Sequence, residues 1–208
     1  LMFYNTLDPI LFSLGPLSIR WYGVMYALAF LFTYWYAKRR IDKTTFTLKD
    51  LDDVILYLVV AMILGARIFE VVFWQPTYYF SNPWKIIAIW EGGLSFHGAL
   101  AAMVLVAYIF CKKVKKSLPE LADLMIVPLS LGQAFGRIGN WFNSELFGKI
   151  TSLPWGVNFH GELDALGDVV FRHPNMLYEA GYNTIIFGIL WLLKDKGYKP
   201  GTLFYLWL

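Results

Sequence analysis

The feature that most constrains this chain is a succession of apolar runs, separated by short polar stretches rich in Lys and Arg. A run of ~20 apolar residues crosses the hydrocarbon core of a bilayer as an α-helix, whose backbone hydrogen bonds all close within the segment. Five runs are complete, at about 18–37, 51–73, 94–110, 121–142 and 175–193, and a sixth starts near Gly201 and is cut off at Leu208. The expected fold is therefore all-α, a polytopic transmembrane helix bundle with five complete spans plus a truncated sixth. No internal repeat or linker divides it, so residues 1–208 read as one transmembrane domain. Composition agrees. Hydrophobic residues make up 58% of the chain and charged residues 16%, against about 25% charged in soluble domains. That composition excludes a disordered chain, the lone Cys111 excludes a disulfide scaffold, and a formal net charge of +3 gives no basic surface for nucleic acid.

The positions of the basic residues set an orientation. Lys38, Arg39, Arg40, Lys43 and Lys49 follow the first run, Lys112, Lys113, Lys115 and Lys116 the third, and Lys194, Lys196 and Lys199 the fifth. These are twelve of the 18 basic residues, all in alternate loops. The positive-inside rule puts those loops in the cytoplasm and the N-terminus outside. The first run is no signal peptide, because no basic cluster precedes it and one follows it. The chain begins with Leu1 rather than Met, so trimmed ends are expected. Two outer segments break the apolar pattern. Residues 75–93 carry Pro76, Pro83, Trp84, Trp90 and Gly92-Gly93 and suit an interfacial or re-entrant segment. Residues 144–173, with Pro154, Gly156, Gly161 and Gly167, read as an extracytoplasmic loop region able to gate access from outside.

Polar groups inside apolar spans are costly and usually face a partner or a cavity. Arg67 and Glu70 stand at i, i+3 and could form a self-neutralising structural pair. His97 opens the third span, either as a hydrogen-bonded packing residue or as a chemical group. The fourth span is the least ordinary. Gly132 and Gly136 form a small-xxx-small pair suited to close helix packing, but packing does not explain Arg137, Asn140, Asn143 and Glu145, which follow at once. Helical spacing brings Arg137, Asn140 and Asn143 to adjacent turns of one face. A guanidinium flanked by amides suits a phosphodiester; the alternative is a salt bridge from Arg137 to Glu70, Glu145 or Glu179. Pro174 fits the first turn of the fifth span, which places Glu179 about one turn deeper. Trp21 and Tyr22 sit where an aromatic belt is expected. Tyr22, His97, Arg137, Asn140, Asn143, Glu145, His173 and Glu179 come from four spans, all toward the outer half, and a shared polar cavity there is the economical account.

The run Gly136-Arg137-Ile138-Gly139-Asn140-Trp141-Phe142-Asn143-Ser144-Glu145 closely resembles the signature of bacterial prolipoprotein diacylglyceryl transferases. Trp21-Tyr22-Gly23, Gly65-Ala66-Arg67, Gly92-Gly93-Leu94-Ser95-Phe96-His97-Gly98 and His173-Pro174-Asn175-Met176-Leu177-Tyr178-Glu179 match in the same order, so the resemblance spans nearly the whole chain. It implies transfer of the diacylglyceryl group of phosphatidylglycerol to the lipobox cysteine of a prolipoprotein signal peptide, at the outer face of the bacterial cytoplasmic (inner) membrane. By the same resemblance Arg137 would hold the lipid phosphate, His97 would take the thiol proton, and Tyr22 would contribute to the polar site. Asn140, Asn143 and Glu145 would organise it, with Gly98, Gly139, His173 and Glu179 among the substrate-binding positions. The family's second essential arginine, with a nearby glutamate, would fall in a helix beyond Leu208. The loop between Gly148 and Arg172 is also short for the family.

The chemistry is sound. A thiol of pKa ~8.5 can give its proton to an imidazole of pKa ~6.5 at neutral pH, and a fixed guanidinium meets the charge that develops on a leaving phosphate. No cofactor or metal is expected, since His97, His160 and His173 lack ligand-like spacing. Cys111 borders the cytoplasmic lysines and is expected to play no part. Two other readings compete: a lipid or small-solute transporter, against which no repeated half is found, and a non-catalytic lipid-binding membrane subunit.

Overall fold

A computed structural model describes residues 3–15 and 17–208. The chain is mostly helical, and four described helical segments are long and apolar enough to cross a membrane: Leu48–Trp74, Phe96–Val114, Leu118–Asn143 and Asn175–Leu193. The first expected span forms helix α1, Trp21–Arg40, which is not among those four. Its Tyr and Trp residues and its basic end lower its hydropathy. The chain divides into two compact units, one of residues up to Ala37 with Ala122–Leu208, the other Lys38–Leu121.

In the unit Lys38–Leu121, α2 (Leu48–Phe69) starts at a capping box. The Asp50 backbone N–H donates to Thr47 Oγ1, and the Thr47 N–H donates back to the Asp50 carboxylate. The helix continues through a π-turn, Glu70–Trp74, into the short helix α3, Pro76–Ser81. Helix α4, Phe96–Val114, packs along α2. The two backbones meet at Gly65 and Gly98, where a Cβ on either residue would strike the other's carbonyl oxygen. On another face of α2, Leu56, Val60, Leu64 and Ile68 recur every fourth position and are 46–60% exposed. That apolar stripe is what a lipid-facing helix presents and what a water-soluble surface avoids.

The segment 75–93 holds α3 and two 3₁₀ turns, Pro83–Ile87 and Ile89–Glu91. It displays Phe80, Trp84, Ile87 and Trp90 at its surface while Tyr79 and Ala88 are buried. Arg67 ties this segment down. The buried guanidinium donates from Nε to the Ile86 carbonyl, from Nη1 to the carbonyls of Gly92 and Gly93, and from Nη2 to those of Lys85 and Ala88. Its carbon stands 4.8 Å from the centre of the Tyr79 ring. The pairing of Arg67 with Glu70 suggested by their spacing does not form; Glu70 instead accepts from Gln75 Nε2 at 2.9 Å. Five carbonyls, of which those of Lys85 and Ala88 also accept a backbone N–H, take the guanidinium in place of one carboxylate.

In the other unit, β2 (Ile10–Leu14) and β3 (Leu17–Arg20) form an antiparallel hairpin that leads directly into α1. Helix α1 therefore begins three residues after the start of the first apolar run, because such a run does not distinguish a strand from a helix start. Helices α5 (Leu118–Asn143), α6 (Asn175–Leu193) and the short α7 (Thr202–Trp207) complete the helical part. Gly132 of α5 lies against Ala29 of α1, and Gly139 lies so close to Tyr22 that a Cβ there would sit 2.8 Å from its ring. Between α1 and α6, Phe32 meets Phe187 and Tyr36 meets Trp191. The Asp123 carboxylate accepts from the Gly201 N–H at 2.7 Å and the Phe204 N–H at 2.9 Å, fixing the start of α7.

The loop region 144–173 is ordered by strand contacts rather than helix. Strand β1, Phe3–Asn5, pairs in parallel with β4, Val157–Phe159. Isolated bridges join Arg172 to Ile150 and Val157, and Leu163 to Val169. Val157, Phe159 and Met176 form a small buried core backed by Trp141 and Phe147. These short strands lie outside the helices and qualify the all-α expectation.

Candidate active site

The last turns of α5 build a polar chain. Arg137 is ion-paired through Nε with Glu179 Oε2 of α6 at 2.5 Å, and its Nη1 donates a long 3.4 Å bond to Asn140 Oδ1. Asn140 Nδ2 and Asn143 Nδ2 both donate to Glu145 Oε1, at 2.8 and 3.0 Å. Glu145 thus orients both amides, turning their carbonyl oxygens away from itself. One of those oxygens receives Arg137; the other, Asn143 Oδ1, is buried with no partner. Backbone geometry lets Glu145 turn back: Ser144 and Leu146 adopt φ of 53° and 59°, and the Glu145 N–H donates to the Asn140 carbonyl. Helical spacing alone made Arg137, Asn140 and Asn143 neighbours; the reversal at Ser144 is what adds Glu145.

Arg137 is about one-third exposed, and its Nη2 makes no hydrogen bond among the described residues. A guanidinium has five N–H donors, so Arg137 keeps Nη2 open while Nε and Nη1 are engaged. The alternative of a salt bridge to Glu179 is thus realised, with Nη2 left without a hydrogen bond among the described residues. Tyr22 adjoins this region through Gly139, and its hydroxyl donates to Tyr26 at 3.2 Å. Gly136 faces the same Tyr26 hydroxyl across 3.7 Å from where a Cβ would stand, and Trp21 stacks on Phe142.

His173 is not part of this chain of bonds. Its Nδ1 lies 3.1 Å from the Tyr178 hydroxyl, which also accepts from Trp155 Nε1. Its backbone pairs with Gly148 and Lys149, closing the base of the loop. Beside it Phe3, Trp141, Trp155, Val157, Pro174, Leu177 and Tyr178 line an open apolar pocket of about 580 Å³.

His97 and Gly98 belong to the other unit. His97 is exposed in the first turn of α4, with a ring contact to Phe96 and no side-chain hydrogen bond among the described residues. The run before it is tied by hydrogen bonds. Ser95 Oγ caps α4 at the Gly98 N–H and accepts from Trp74 Nε1, while Gly92 and Gly93 take φ of 90° and 73°. A Cβ on Gly93 would come within 2.9 Å of Arg67 Nη1.

Sequence reasoning passed over the pair that holds the loop. Arg172 donates from Nε and Nη2 to the two oxygens of Glu162, at 2.6 and 2.5 Å, and stacks on Phe147. The hydrogen-bonded guanidinium holds the Glu162 carboxyl below the usual carboxylate range, and Glu162 in turn raises Arg172. The ten-residue separation of the two in a turn-rich stretch offered no periodic signal. No group of three or more potential metal-binding side chains occurs among the described residues.

Four apolar helices of membrane length, one of which ends in a partly exposed arginine whose Nη2 has no hydrogen bond among the described residues, define a membrane protein with a polar cluster at a helix end. The comparisons with known proteins are more particular. The family model for prolipoprotein diacylglyceryl transferase matches residues 9–208. A phosphatidylglycerol–prolipoprotein diacylglyceryl transferase of Desulfotalea psychrophila is 41% identical over 208 residues, covering 97% of this chain and 75% of the relative. The protein of the same name from Bordetella parapertussis is 39% identical over 202 residues, covering 95% and 76%. That from Oleidesulfovibrio alaskensis is 40% identical over 196 residues, covering 93% and 72%. The chain belongs to the prolipoprotein diacylglyceryl transferase family.

Proposed function

We propose that this chain transfers the diacylglyceryl group of phosphatidylglycerol to the thiol of a prolipoprotein's lipobox cysteine. The sulfur attacks the glyceryl carbon that carries the phosphate. A carbon–sulfur bond forms as the carbon–oxygen bond breaks, and its electron pair leaves on the phosphate oxygen of glycerol phosphate. The thiol proton goes to the imidazole of His97, which is exposed and makes no side-chain hydrogen bond among the described residues. Arg137 receives the phosphate on its open edge and meets the charge growing on the departing oxygen. Asn140, Asn143 and Glu145 keep that edge oriented, and Tyr22 closes the site from α1. His173, Gly98 and Gly139 shape the approach of substrate.

The observation that carries this reading is the partly exposed Arg137, its Nη2 unbonded among the described residues, inside the run that resembles the family signature. In the same reading residues 1–208 form one transmembrane domain with five spans and the start of a sixth, α1 among them. The N-terminus lies outside and the lysine-rich loops inside, which puts the site at the outer face of the bacterial inner membrane.

The test is reconstitution in phosphatidylglycerol bilayers with a lipobox peptide, followed by mass spectrometry. The expected result is a mass gain of one diacylglyceryl group on the cysteine and none on a Cys→Ser peptide. No gain in phosphatidylglycerol would overturn the reading.

A further inference from the structure

Two tyrosines of α1 pack on two glycines of α5. Tyr22 and Tyr26 stand one helical turn apart, with ring centres 4.8 Å apart and planes inclined at 45°. Gly139 faces the Tyr22 ring, where a Cβ would come within 2.8 Å, and Gly136 faces the Tyr26 hydroxyl across 3.7 Å. Arg137 stands between those glycines in sequence, and the charges of Arg137 and Glu145 both act on the Tyr22 hydroxyl. That hydroxyl donates its proton to Tyr26 at 3.2 Å. A phenol has a single O–H, so what Tyr22 offers a ligand is a lone pair, which needs a donor on the ligand. Phosphatidylglycerol carries its only O–H groups on the head-group glycerol, within a few bonds of the phosphate that Arg137 receives. Its phosphate and ester oxygens are acceptors and gain nothing from Tyr22.

We propose that Tyr22 accepts a hydrogen bond from a head-group hydroxyl of phosphatidylglycerol, and that Tyr26 is the positioning residue that turns the Tyr22 proton away from the lipid. The pair thereby selects a hydroxylated head group among phosphodiester lipids of equal charge. A site built to bond a substrate hydroxyl rejects the analogue that lacks it, because the site's own polar group is then left unpaired. Tyr22 is half-buried and Tyr26 is exposed, so the effect is that of one partly solvated hydrogen bond, about tenfold. This rests on the reaction proposed above and adds to it the part of the lipid that Tyr22 reads.

The test compares two lipid donors with identical acyl chains, phosphatidylglycerol and phosphatidylpropanol. Both are diesters with one negative charge, and the second has hydrogen in place of both head-group hydroxyls. The preference between them is read as a ratio of transfer rates to a lipobox peptide and as a ratio of lipid retained in native mass spectra. Wild type is expected to favour phosphatidylglycerol about tenfold by both readings. Tyr22→Phe is expected to bring the ratios near one. Tyr26→Phe, which keeps the ring and removes one exposed oxygen, is expected to lower them about threefold. The double variant should match Tyr22→Phe, since Tyr26 acts only through Tyr22. A transfer ratio does not depend on how much of a variant is folded, and where Tyr22→Phe no longer turns over, the retention ratio decides. Equal use of the two lipids by wild type, or a wild-type ratio in Tyr22→Phe, would overturn the proposal. A wild-type ratio in Tyr26→Phe would overturn the role of Tyr26. No transfer from phosphatidylglycerol by wild type counts against the reaction itself, whereas transfer with a ratio of one counts against the tyrosine pair alone.

Discussion

The two arginines placed at the ends of apolar helices, Arg67 and Arg137, put the same side chain to opposite uses. Arg67 is buried and gives its donors to five backbone carbonyls of the segment between Lys85 and Gly93. It ties together two short 3₁₀ turns and the Gly92-Gly93 pair, and nothing is left over for a ligand. Arg137 is one-third exposed, held at Nε by Glu179 and at Nη1 by Asn140, with Nη2 making no hydrogen bond among the described residues. An intramembrane charge marks function only when its donors are not already spent on the fold.

The comparison breaks most visibly if the two arginines are removed in parallel. Arg137→Ala should lower transfer by roughly a hundredfold to a thousandfold with little change in thermal unfolding. Arg67→Leu should destabilise the protein by about 3 kcal/mol, since a buried guanidinium is removed and the carbonyls of Ile86, Gly92 and Gly93 lose its donors at once. Activity and melting temperature measured side by side check both; an Arg137→Ala protein that melts early but turns over normally would reverse the assignment.

A smaller effect is expected at the loop. Because Arg172 depresses the Glu162 carboxyl, their pairing supports the fold above the ordinary glutamate pKa of about 4.3 and is lost as pH falls through the lower folded value. Proteolytic cleavage within residues 144–173 should therefore rise below about pH 4 in wild type. In Glu162→Gln it should be raised already at neutral pH and lose that step. An unchanged acid profile in the variant would remove the pair from the account.

Much of this was legible in the sequence where a periodic signal existed. The apolar runs located the four membrane-length helices to within a few residues at each end, and helical spacing joined Arg137 to Asn140 and Asn143. What depended on chain reversal was not legible. Glu145 joins the cluster because Ser144 turns the backbone back, and Arg172 finds Glu162 through bridges between distant loop residues. Arg67 was misread for a related reason. Its i, i+3 neighbour Glu70 was visible in the sequence, but the carbonyls that claimed it arise only once the segment 75–93 has folded. The hairpin before α1 was hidden because its strands are as apolar as the helix they precede.

The central claim is that lipid phosphate meets Arg137 and not Arg67. It is tested most directly by solid-state NMR dipolar recoupling between phosphorus of phosphatidylglycerol and arginine guanidinium nitrogens in bilayers. The account predicts a phosphorus contact to a guanidinium that disappears in Arg137→Lys and survives in every arginine variant that leaves Arg137 intact and the protein folded. A contact that persists in Arg137→Lys, or none at all in the wild type, would contradict it.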